Sequence, residues 1–302
     1  MDFFPGFEVV DVDAGGLDIH ARIGGSGPPV LLLHGYPQSH VMWHAVAPVL
    51  AEQSTVVVAD LRGYGDSEKP PAGADHFEYS KRAMAADQVS AMAALGFERF
   101  AAIGHDRGAR VVHRMCLDHP SAVERAAVLD IVPTHHIFEH VDREMAQTYY
   151  HWFFLSQPPD LPERLIGADP EYFLRTSIQR WSAGEFPFEP AAVDEYVRCF
   201  RDPATIAATC ADYRAAPSID MEHDAEDRQA GNRIRCPLLA LWGLRGFVGR
   251  HYDVLPIWRD YADDVRGSGL HCAHFLAEEE PDATAAALVE FLAEPTVSEL
   301  RR

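Results

Sequence analysis

A sharp change of character in residues 101–110, AAIGHDRGAR, constrains the fold of this chain more than any other segment. A run of small and apolar residues passes directly into a charged stretch. Gly104, Asp106 and Gly108 have the small-x-nucleophile-x-small spacing of a turn from a buried strand into a helix, with Asp where Ser is more usual. Glycines suit this turn because it brings backbone segments too close for a Cβ atom. Asp106 is therefore expected at the carboxyl end of a sheet, although an Asp that only caps the helix is the simpler alternative.

Strand and helix patterns alternate on both sides of this turn. The run PPVLLLHG is continuously apolar, which is typical of a strand buried on both faces of a sheet. A Gly-rich turn, DAGG, separates two strand patterns as in a hairpin. The alternation predicts an α/β fold with a largely parallel sheet. Strands are predicted at 7–12, 17–23, 28–35, 54–59, 98–103, 123–130 and 236–243, and helices at about 40–52, 79–95, 107–118 and 281–294.

The pattern changes between residues 134 and 231. Strand signal is weak there, while aromatic residues and prolines accumulate between amphipathic stretches, as in YYHWFFLSQPPDLPE. We interpret 134–231 as a helical cap inserted into an α/β core formed by 1–133 and 232–302.

Charge and cysteine content narrow the classes of function. The 302 residues carry a formal net charge of −20, which argues against nucleic-acid binding because that requires clustered Lys and Arg. The five cysteines are odd in number and form no C-x-x-C pair, so we expect no zinc knuckle and no disulfide framework. Reduced thiols fit a cytoplasmic protein. The sequence has no signal-peptide pattern and no apolar run long enough for a membrane span, so neither export nor a membrane location is expected.

An Asp at the nucleophile position changes which chemistry is reasonable. A serine that attacked a saturated carbon would form an ether, which an ordinary hydrolase cannot cleave. A carboxylate that attacks the same carbon forms an ester, which water can hydrolyse. Asp106 thus indicates displacement at an alkyl carbon, in a halide or an epoxide, rather than hydrolysis of esters or amides.

Four motifs are distributed along most of the chain, between residues 31 and 282: LLLHGYPQ, ADLRGYGDSEKP, GHDRGAR and HFLAEEEPD. In this order they resemble the aspartate-nucleophile branch of the α/β-hydrolase superfamily, which contains haloacetate dehalogenases, haloalkane dehalogenases and epoxide hydrolases. Arg107 and Arg110 are similar to the arginines of fluoroacetate dehalogenases, whereas relatives that act on neutral substrates usually have Trp after the Asp. The resemblance implies an α/β-hydrolase fold with a mostly parallel eight-stranded sheet, flanking helices and a helical cap.

The same resemblance assigns the groups that would hydrolyse the ester. His274, followed by Phe, an acidic run and Pro281, is the base, although the residue before it is Ala273 where relatives usually have Gly. The segment after the predicted strand at 236–243 contains no acid, so Asp130, at the end of AAVLD, is expected to orient His274. The backbone N–H groups of Tyr36 and Arg107 are expected to form the oxyanion site.

The remaining site residues are expected to bind the carboxylate of an anionic substrate and its leaving group. Arg107 and Arg110 are three residues apart and share one helix face, so both can clamp a carboxylate, although solvated helix arginines are the alternative. The resemblance places His151, Trp152 and Tyr213 around the halide. The neighbouring aromatic residues, Tyr149, Tyr150, Phe153 and Phe154, are expected only to pack.

The sequence therefore predicts a haloacetate dehalogenase, with fluoroacetate as the candidate substrate. It would need no metal and no organic cofactor, its partner would be a small haloacid, and relatives are commonly homodimers. The nearest alternative is an epoxide hydrolase that uses cap tyrosines, and a noncatalytic binding protein is an alternative from another class.

Overall fold

The computed structural model describes residues 2–184 and 188–294. Its centre is a single eight-stranded sheet, whose strands are β1 (Glu8–Asp13), β2 (Asp18–Gly25), β3 (Pro29–Leu33), β4 (Thr55–Ala59), β5 (Phe100–His105), β6 (Val123–Leu129), β7 (Leu238–Gly243) and β8 (Val265–Leu270). The strand order is β1-β2-β4-β3-β5-β6-β7-β8. The pairings of β1 with β2 and of β2 with β4 are antiparallel, and the other pairings are parallel. The prediction of a mostly parallel eight-stranded sheet is confirmed.

The central strands are buried on both faces. Every residue of β5 is buried, and so are four of the five residues of β3, whose sequence is PVLLL. Helices pack on this part of the sheet, and one of them, at Arg107–Asp118, contacts both β5 and β6. Continuous apolar runs are what a parallel sheet with two covered faces requires.

The helices of the described residues follow the predicted alternation. They are α1 (Ala47–Leu50), α2 (Lys81–Ala94), α3 (Arg107–Asp118), α4 (Thr134–Glu139), α5 (Arg143–Thr148), α6 (Tyr150–Leu155), α7 (Leu161–Ala168), α8 (Pro170–Trp181), α9 (Pro190–Phe200), α10 (Pro203–Ala215), α11 (Ile219–Ala230), α12 (Phe247–His251), α13 (Val254–Arg259), α14 (Leu276–Glu279) and α15 (Pro281–Ala293), with 3₁₀ turns at His40–Trp43 and Phe77–Tyr79. None of the described helices has the length and apolar character needed to cross a membrane.

The helix predicted at about 40–52 is wrong as a continuous element. The structure has a 3₁₀ turn that Ser39 caps, followed by the separate short helix α1. Pro48 lies in the first turn of α1 and has no N–H to donate to a preceding turn, so a helix running through from residue 40 is interrupted there.

The segment between β6 and β7 is helical. Its described residues form α4 to α11 and contain no strand between Thr134 and Ala230. We call residues 134–231 the cap segment. That this segment is a domain separate from 1–133 and 232–302 stays a prediction.

Candidate active site

Asp106 lies in a strained turn between β5 and α3. Its backbone has φ 47° and ψ −113°, a conformation that costs about 1–3 kcal/mol for a residue with a Cβ atom. A Cβ atom on Gly108 would lie 2.3 Å from the carbonyl oxygen of His34, so glycine lets α3 approach the end of β3. The Asp106 side chain makes no capping hydrogen bond to α3, and the simple helix-cap alternative is therefore wrong.

The Asp106 carboxylate lies between a backbone donor and an imidazole. The N–H of Tyr36 donates to Oδ1 over 2.9 Å, and Oδ2 lies 3.9 Å from Nε2 of His274. Burial alone would raise the pKa of this carboxyl group. The nearby His274 and His105 and the two arginines of α3 outweigh burial and lower the pKa below its ordinary value. Asp106 is thus an ionised carboxylate in a buried place.

His274 joins this carboxylate to a second one. Its Nδ1 lies 2.7 Å from Oδ2 of Asp130, and Oδ1 of Asp130 accepts a 2.9 Å hydrogen bond from the N–H of Gly243. Asp130 directly follows β6 and, like Asp106, has a positive φ, here 55°. Burial would lower the pKa of His274, but the hydrogen bond and charge of Asp130, helped by Asp106, raise it above its ordinary value. The arrangement leaves Nε2 facing the Asp106 carboxylate.

The loop that carries His274 is fixed by a buried acid that the sequence analysis did not identify. The Glu279 carboxylate accepts hydrogen bonds from the N–H groups of Ala273, Phe275 and Ala183, at 3.0, 2.9 and 2.9 Å. It therefore holds the residues on both sides of the imidazole. The acidic run after His274 was the available signal, but the sequence does not show which of its three glutamates turns inward.

Arg107 is buried, and most of its donors are engaged by another side chain. Nε donates to Oδ2 of Asp212 over 2.9 Å, and Nη2 donates to the Asp212 carbonyl oxygen over 2.8 Å and to Oδ1. Nη1 is buried without a hydrogen-bond partner among the described residues. Asp212 thus occupies one edge of the guanidinium, and the role of Arg107 in binding a carboxylate stays a prediction.

Arg110 is also buried but has only neutral hydrogen-bond partners. Its Nη1 donates to the carbonyl oxygen of Val132 over 3.0 Å and to Oγ1 of Thr134 over 2.9 Å, while Nε has no partner in the described part of the chain. The guanidinium carbon lies 4.7 Å from the centre of the Trp152 ring. Neither arginine is a solvated helix residue, since Arg107 is 0% and Arg110 4% exposed.

Aromatic residues enclose the space above Asp106. A small cavity is lined by Tyr36, Asp106, Tyr149, His151, Trp152, Trp181, Tyr213 and His274. The three residues assigned to the halide, His151, Trp152 and Tyr213, are thus brought together with Asp106. Tyr149, which was expected only to pack, lines the cavity as well. Trp181 was not identified, and its ring lies 4.3 Å from that of His151.

Two polar groups of this lining, the His151 imidazole and the Tyr213 phenol, stay uncharged. Burial lowers the pKa of His151 to about 3, and its Nδ1 has no partner among the described residues. Burial and the Asp106 charge raise the pKa of Tyr213 well above 10. Neutral imidazole and phenol groups can each donate a hydrogen bond to a small anion.

The comparisons place this architecture in a family. Residues 28–281 match the model of the alpha/beta hydrolase fold. The chain belongs to the alpha/beta hydrolase family. This hydrolase is 48% identical to a fluoroacetate dehalogenase of a Burkholderia species over 96% of its own length and 95% of the relative. It is 35% identical to a soluble epoxide hydrolase of Corynebacterium sp. (strain C12), over 92% and 94% of the two chains.

A solved structure agrees with the sequence relatives. The Nostoc sp PCC 7120 protein ALR0039 shares 54% identity with this hydrolase at a TM-score of 0.94, and the match covers 96% of this chain and 99% of that one. The resemblance to haloacetate dehalogenases stated from the motifs is confirmed by the 48% identity with the Burkholderia enzyme.

Among the residues that the structure describes, one cluster has side chains suited to a metal ion. Ligand atoms of His20, His40 and Asp60 lie within 4.8 Å of one another. The Asp60 oxygens, however, already accept hydrogen bonds from the backbone N–H groups of His40 and Asp66, at 2.7 and 2.9 Å. We therefore interpret Asp60 as a residue that shapes the loop after β4.

Proposed function

We propose that this protein is a haloacetate dehalogenase that converts fluoroacetate to glycolate and fluoride. The observation that carries the proposal is the pair of buried guanidinium groups on α3 directly after an ionised, buried Asp106. An anionic substrate near an anionic nucleophile would be repelled by about 4 kcal/mol at 4 Å, and positive charge in the site offsets this repulsion.

The first step is a displacement at the Cα atom of the substrate. Oδ2 of Asp106 attacks Cα, the carbon–halogen bond breaks, and the halide leaves with the bonding electron pair. The Tyr36 N–H holds Oδ1, so the other oxygen is the one available for attack. His151, Trp152 and Tyr213 surround the departing halide and donate hydrogen bonds to it.

The second step hydrolyses the glycolyl ester on Asp106. His274 takes a proton from water at Nε2, and the resulting hydroxide attacks the carboxyl carbon of Asp106. Negative charge then develops on Oδ1, where the Tyr36 N–H already points. His274 returns the proton to the departing glycolate oxygen. The Asp106 carboxyl group, which now carries the second proton of the water, loses it to solvent, and the carboxylate is restored. Asp130 supports the imidazolium that forms in between.

The carboxylate of the substrate is bound by the donors that the protein itself does not use. These include Nη1 of Arg107 and Nε of Arg110, both buried and without partners among the described residues. The two guanidinium groups lie against Tyr213 and Trp152, at 4.3 and 4.7 Å from the ring centres, and these rings line the cavity. Burial makes such charge-assisted hydrogen bonds stronger than they are in water.

Epoxide hydrolysis is the second candidate, because Tyr149 and Tyr213 both line the cavity and can protonate an opening epoxide oxygen. The 35% identical relative from Corynebacterium is a soluble epoxide hydrolase. A neutral epoxide, however, would leave two buried cationic N–H groups without an acceptor, which is unfavourable. The haloacetate proposal provides that acceptor.

Halide release separates the two candidates. The purified protein is incubated with fluoroacetate, with chloroacetate and with styrene oxide, and halide and diol are measured, with Asp106→Asn as the control. We expect halide release from at least one haloacetate, little diol, and no halide from the variant. Absence of halide from both haloacetates would overturn the proposal, and diol formation without halide would favour the epoxide hydrolase.

Isotope labelling tests the covalent route. A single turnover in H₂¹⁸O with enzyme in excess should place ¹⁸O in the Asp106 carboxylate, because water attacks the carboxyl carbon of the ester. Mass spectrometry of the peptide that contains Asp106 measures the label. Label found only in glycolate would show that water attacks the substrate directly.

A further inference from the structure

Asp212 is a fully buried carboxylate that the proposed reaction does not use. It lies on α10 of the cap segment, next to Tyr213, and is 0% exposed. Its Oδ2 accepts a 2.6 Å hydrogen bond from the Tyr64 hydroxyl, and the Lys81 ammonium on α2 contacts Oδ1. Together with Arg107, these contacts bring three donors from the core onto one cap-segment carboxylate.

The contact with Arg107 determines how that side chain can be used. Asp212 binds the edge of the guanidinium formed by Nε and Nη2, and its own carbonyl oxygen binds Nη2 as well. Two parallel hydrogen bonds fix the plane of a guanidinium as well as its position. Nη1 is the nitrogen of Arg107 that has no partner in the described residues. Arg107 can therefore offer a substrate one end of its fork, in one orientation.

Charge in this cluster is balanced without a substrate. Arg107 and Lys81 are opposed by Asp212 and by Asp220, whose Oδ2 lies 3.7 Å from the Lys81 ammonium and whose Oδ1 accepts from the Lys81 N–H over 2.8 Å. Burial would raise the pKa of Asp212, but Arg107 and Lys81 hold it well below its ordinary range. Asp212 is thus ionised, and its negative charge stabilises the buried Arg107 and Lys81 side chains.

Arg110 lacks such a counter-ion among its hydrogen-bond partners, which are Val132 and Thr134. The two arginines of α3 consequently differ: Arg110 supplies positive charge for an anionic substrate, and Arg107 supplies a donor whose direction is fixed.

We propose that Asp212 is a positioning residue that orients Arg107 so that Nη1 meets the carboxylate of the substrate. This inference rests on the proposed haloacetate reaction. It assigns Asp212 to recognition of the carboxylate rather than to bond making or breaking, and it makes the cap segment a contributor to the carboxylate subsite through a residue that does not touch the substrate.

The test compares Asp212→Asn with Asp212→Glu. We measure kcat and KM for the haloacetate that wild-type protein turns over, and the inhibition constant of acetate, which has the carboxylate but no leaving group. Asp212→Asn should raise both KM and the acetate constant by about tenfold or more, as for the loss of a charge-assisted hydrogen bond, with a smaller change in kcat. Asp212→Glu should restore most of the acetate affinity.

A matched control separates orientation from general damage to α3. Arg114, also on α3, donates from Nη2 to Oδ1 of Asp224 over 2.6 Å, and Asp224 is 8% exposed. Asp224→Asn removes a comparable buried carboxylate and should leave KM and the acetate constant within about twofold of wild type. Similar increases in both variants would show a structural effect and overturn the proposal.

Two further variants cover the case in which Asp212→Asn does not fold. Tyr64→Phe removes a single hydrogen bond from Asp212 without changing charge, and it should weaken acetate binding measurably. Asp212→Asn combined with Lys81→Met removes one charge of each sign, and it should still bind acetate about tenfold more weakly than wild type. Unchanged acetate binding in both, or tighter binding in either Asp212→Asn protein, would overturn the proposal. Tighter binding would mean that net positive charge outweighs orientation.

The outcomes also separate this inference from the proposed function. If wild-type protein releases halide and the Asp212 variants keep the wild-type acetate constant, the positioning role is wrong and the dehalogenase proposal stands. If wild-type protein releases no halide from any haloacetate, both are overturned.

Discussion

Asp106 and Asp130, both with a positive φ, lie at the two nitrogens of the His274 imidazole. Asp106 follows β5 and Asp130 follows the neighbouring strand β6, with φ of 47° and 55°. Each gives one carboxylate oxygen to a backbone N–H, from Tyr36 or Gly243, and turns the other toward His274. Strain of about 1–3 kcal/mol at each residue is thus offset by hydrogen bonds that fix the carboxylates. Backbone geometry and acid–base geometry are set by the same two turns.

The raised pKa of His274 leads to a prediction about pH. A base must be neutral, so ester hydrolysis should slow as pH falls through the His274 pKa, which lies above 6.5 in the free protein. Alkylation removes the Asp106 charge, one of the groups that raise this pKa, so the acid limb for the intermediate should lie lower than that for the free protein. Single-turnover decay of the ester, followed by rapid quench across pH 5–9, measures the limb.

Asp130→Asn is the informative variant for this profile. It removes the main group that raises the His274 pKa, so the acid limb should move to lower pH while the plateau rate falls. An unchanged limb in this variant would show that His274 is not the titrating base.

Arg110 is the residue on which recognition of an anion depends most. Arg110→Lys keeps the charge but cannot reproduce the bonds to Val132 and Thr134 and still offer a donor at the Nε position. We expect kcat/KM for chloroacetate to fall by about tenfold or more, with a much smaller loss for neutral chloroacetamide. Steady-state kinetics with both substrates measures the ratio.

Arg114→Lys is the control, since Arg114 lies on the same helix but pairs with Asp118, Asp224 and Asp227. Equal losses for the two substrates in Arg110→Lys would argue against a carboxylate clamp.

At the scale of residues, the sequence is informative where a motif is local. Asp106 is predicted from a five-residue spacing, and His274 from the family resemblance of the residues that follow it. Asp212 was missed because its partners, Tyr64, Lys81 and Arg107, are more than 100 positions away and only the fold brings them together. Local spacing cannot indicate such a contact.

At the scale of elements, the turn between β5 and α3 depends on close backbone approach. A Cβ atom on Gly104 would lie 2.5 Å from the Gly108 carbonyl carbon, and one on Gly108 would lie 2.3 Å from the His34 carbonyl oxygen. These contacts are with backbone, which cannot move aside as a flexible side chain can. The helix therefore cannot keep its position if either glycine gains a side chain.

Gly108→Ala is expected to destabilise the protein by about 1–3 kcal/mol or more, as overpacking does, and to reduce halide release because α3 and Asp106 shift. Thermal unfolding and activity measure the two effects. Gly167→Ala in α7 is the matched control, because a Cβ atom there meets nothing within 4 Å. That change should be neutral or slightly stabilising. Comparable losses in both variants would show that close approach is not the cause.

Prediction of the elements succeeded where the apolar pattern was continuous. Strands β3 to β7 were each predicted to within a few residues, because both faces of these strands are covered. Strand β8, VRGSGL, was not located, since it lies at the sheet edge, is at best partly buried and contains two glycines. Its sequence has neither the alternation nor the apolar run that indicates a strand.

At the scale of the whole molecule, buried carboxylates take part in polar contacts between the cap segment and the rest of the chain. Asp212 on α10 binds Arg107 on α3. On α9, the Tyr196 hydroxyl donates to Oε1 of Glu278 over 2.9 Å, and Gln38 donates to the other oxygen of that carboxylate. Since both contacts involve a carboxylate, their strength depends on whether the acid is ionised.

The raised pKa of Glu278 determines whether the stability of the protein rises or falls with pH. Burial raises its pKa to about 8, although the hydrogen bonds from Tyr196 and Gln38 act in the opposite direction, whereas the unfolded chain has the ordinary value of 4.5. Between these two values the folded protein binds more protons than the unfolded one, so Glu278 makes the free energy of unfolding fall as pH rises from about 4.5 to about 8. Well above pH 8 Glu278 is ionised in the folded protein as well, so its destabilising effect no longer increases with pH.

Glu278→Gln removes this titration while keeping the shape of the side chain. We expect the midpoint of thermal unfolding to drop less between pH 6 and pH 9 in the variant than in wild type, so that the variant gains relative stability at the higher pH. Differential scanning calorimetry at both pH values measures the change. Glu280→Gln, whose side chain makes no capping hydrogen bond to α15, is the control and should retain the wild-type difference. An equal pH dependence in wild type and Glu278→Gln would show that Glu278 does not titrate between pH 6 and pH 9 in the folded protein.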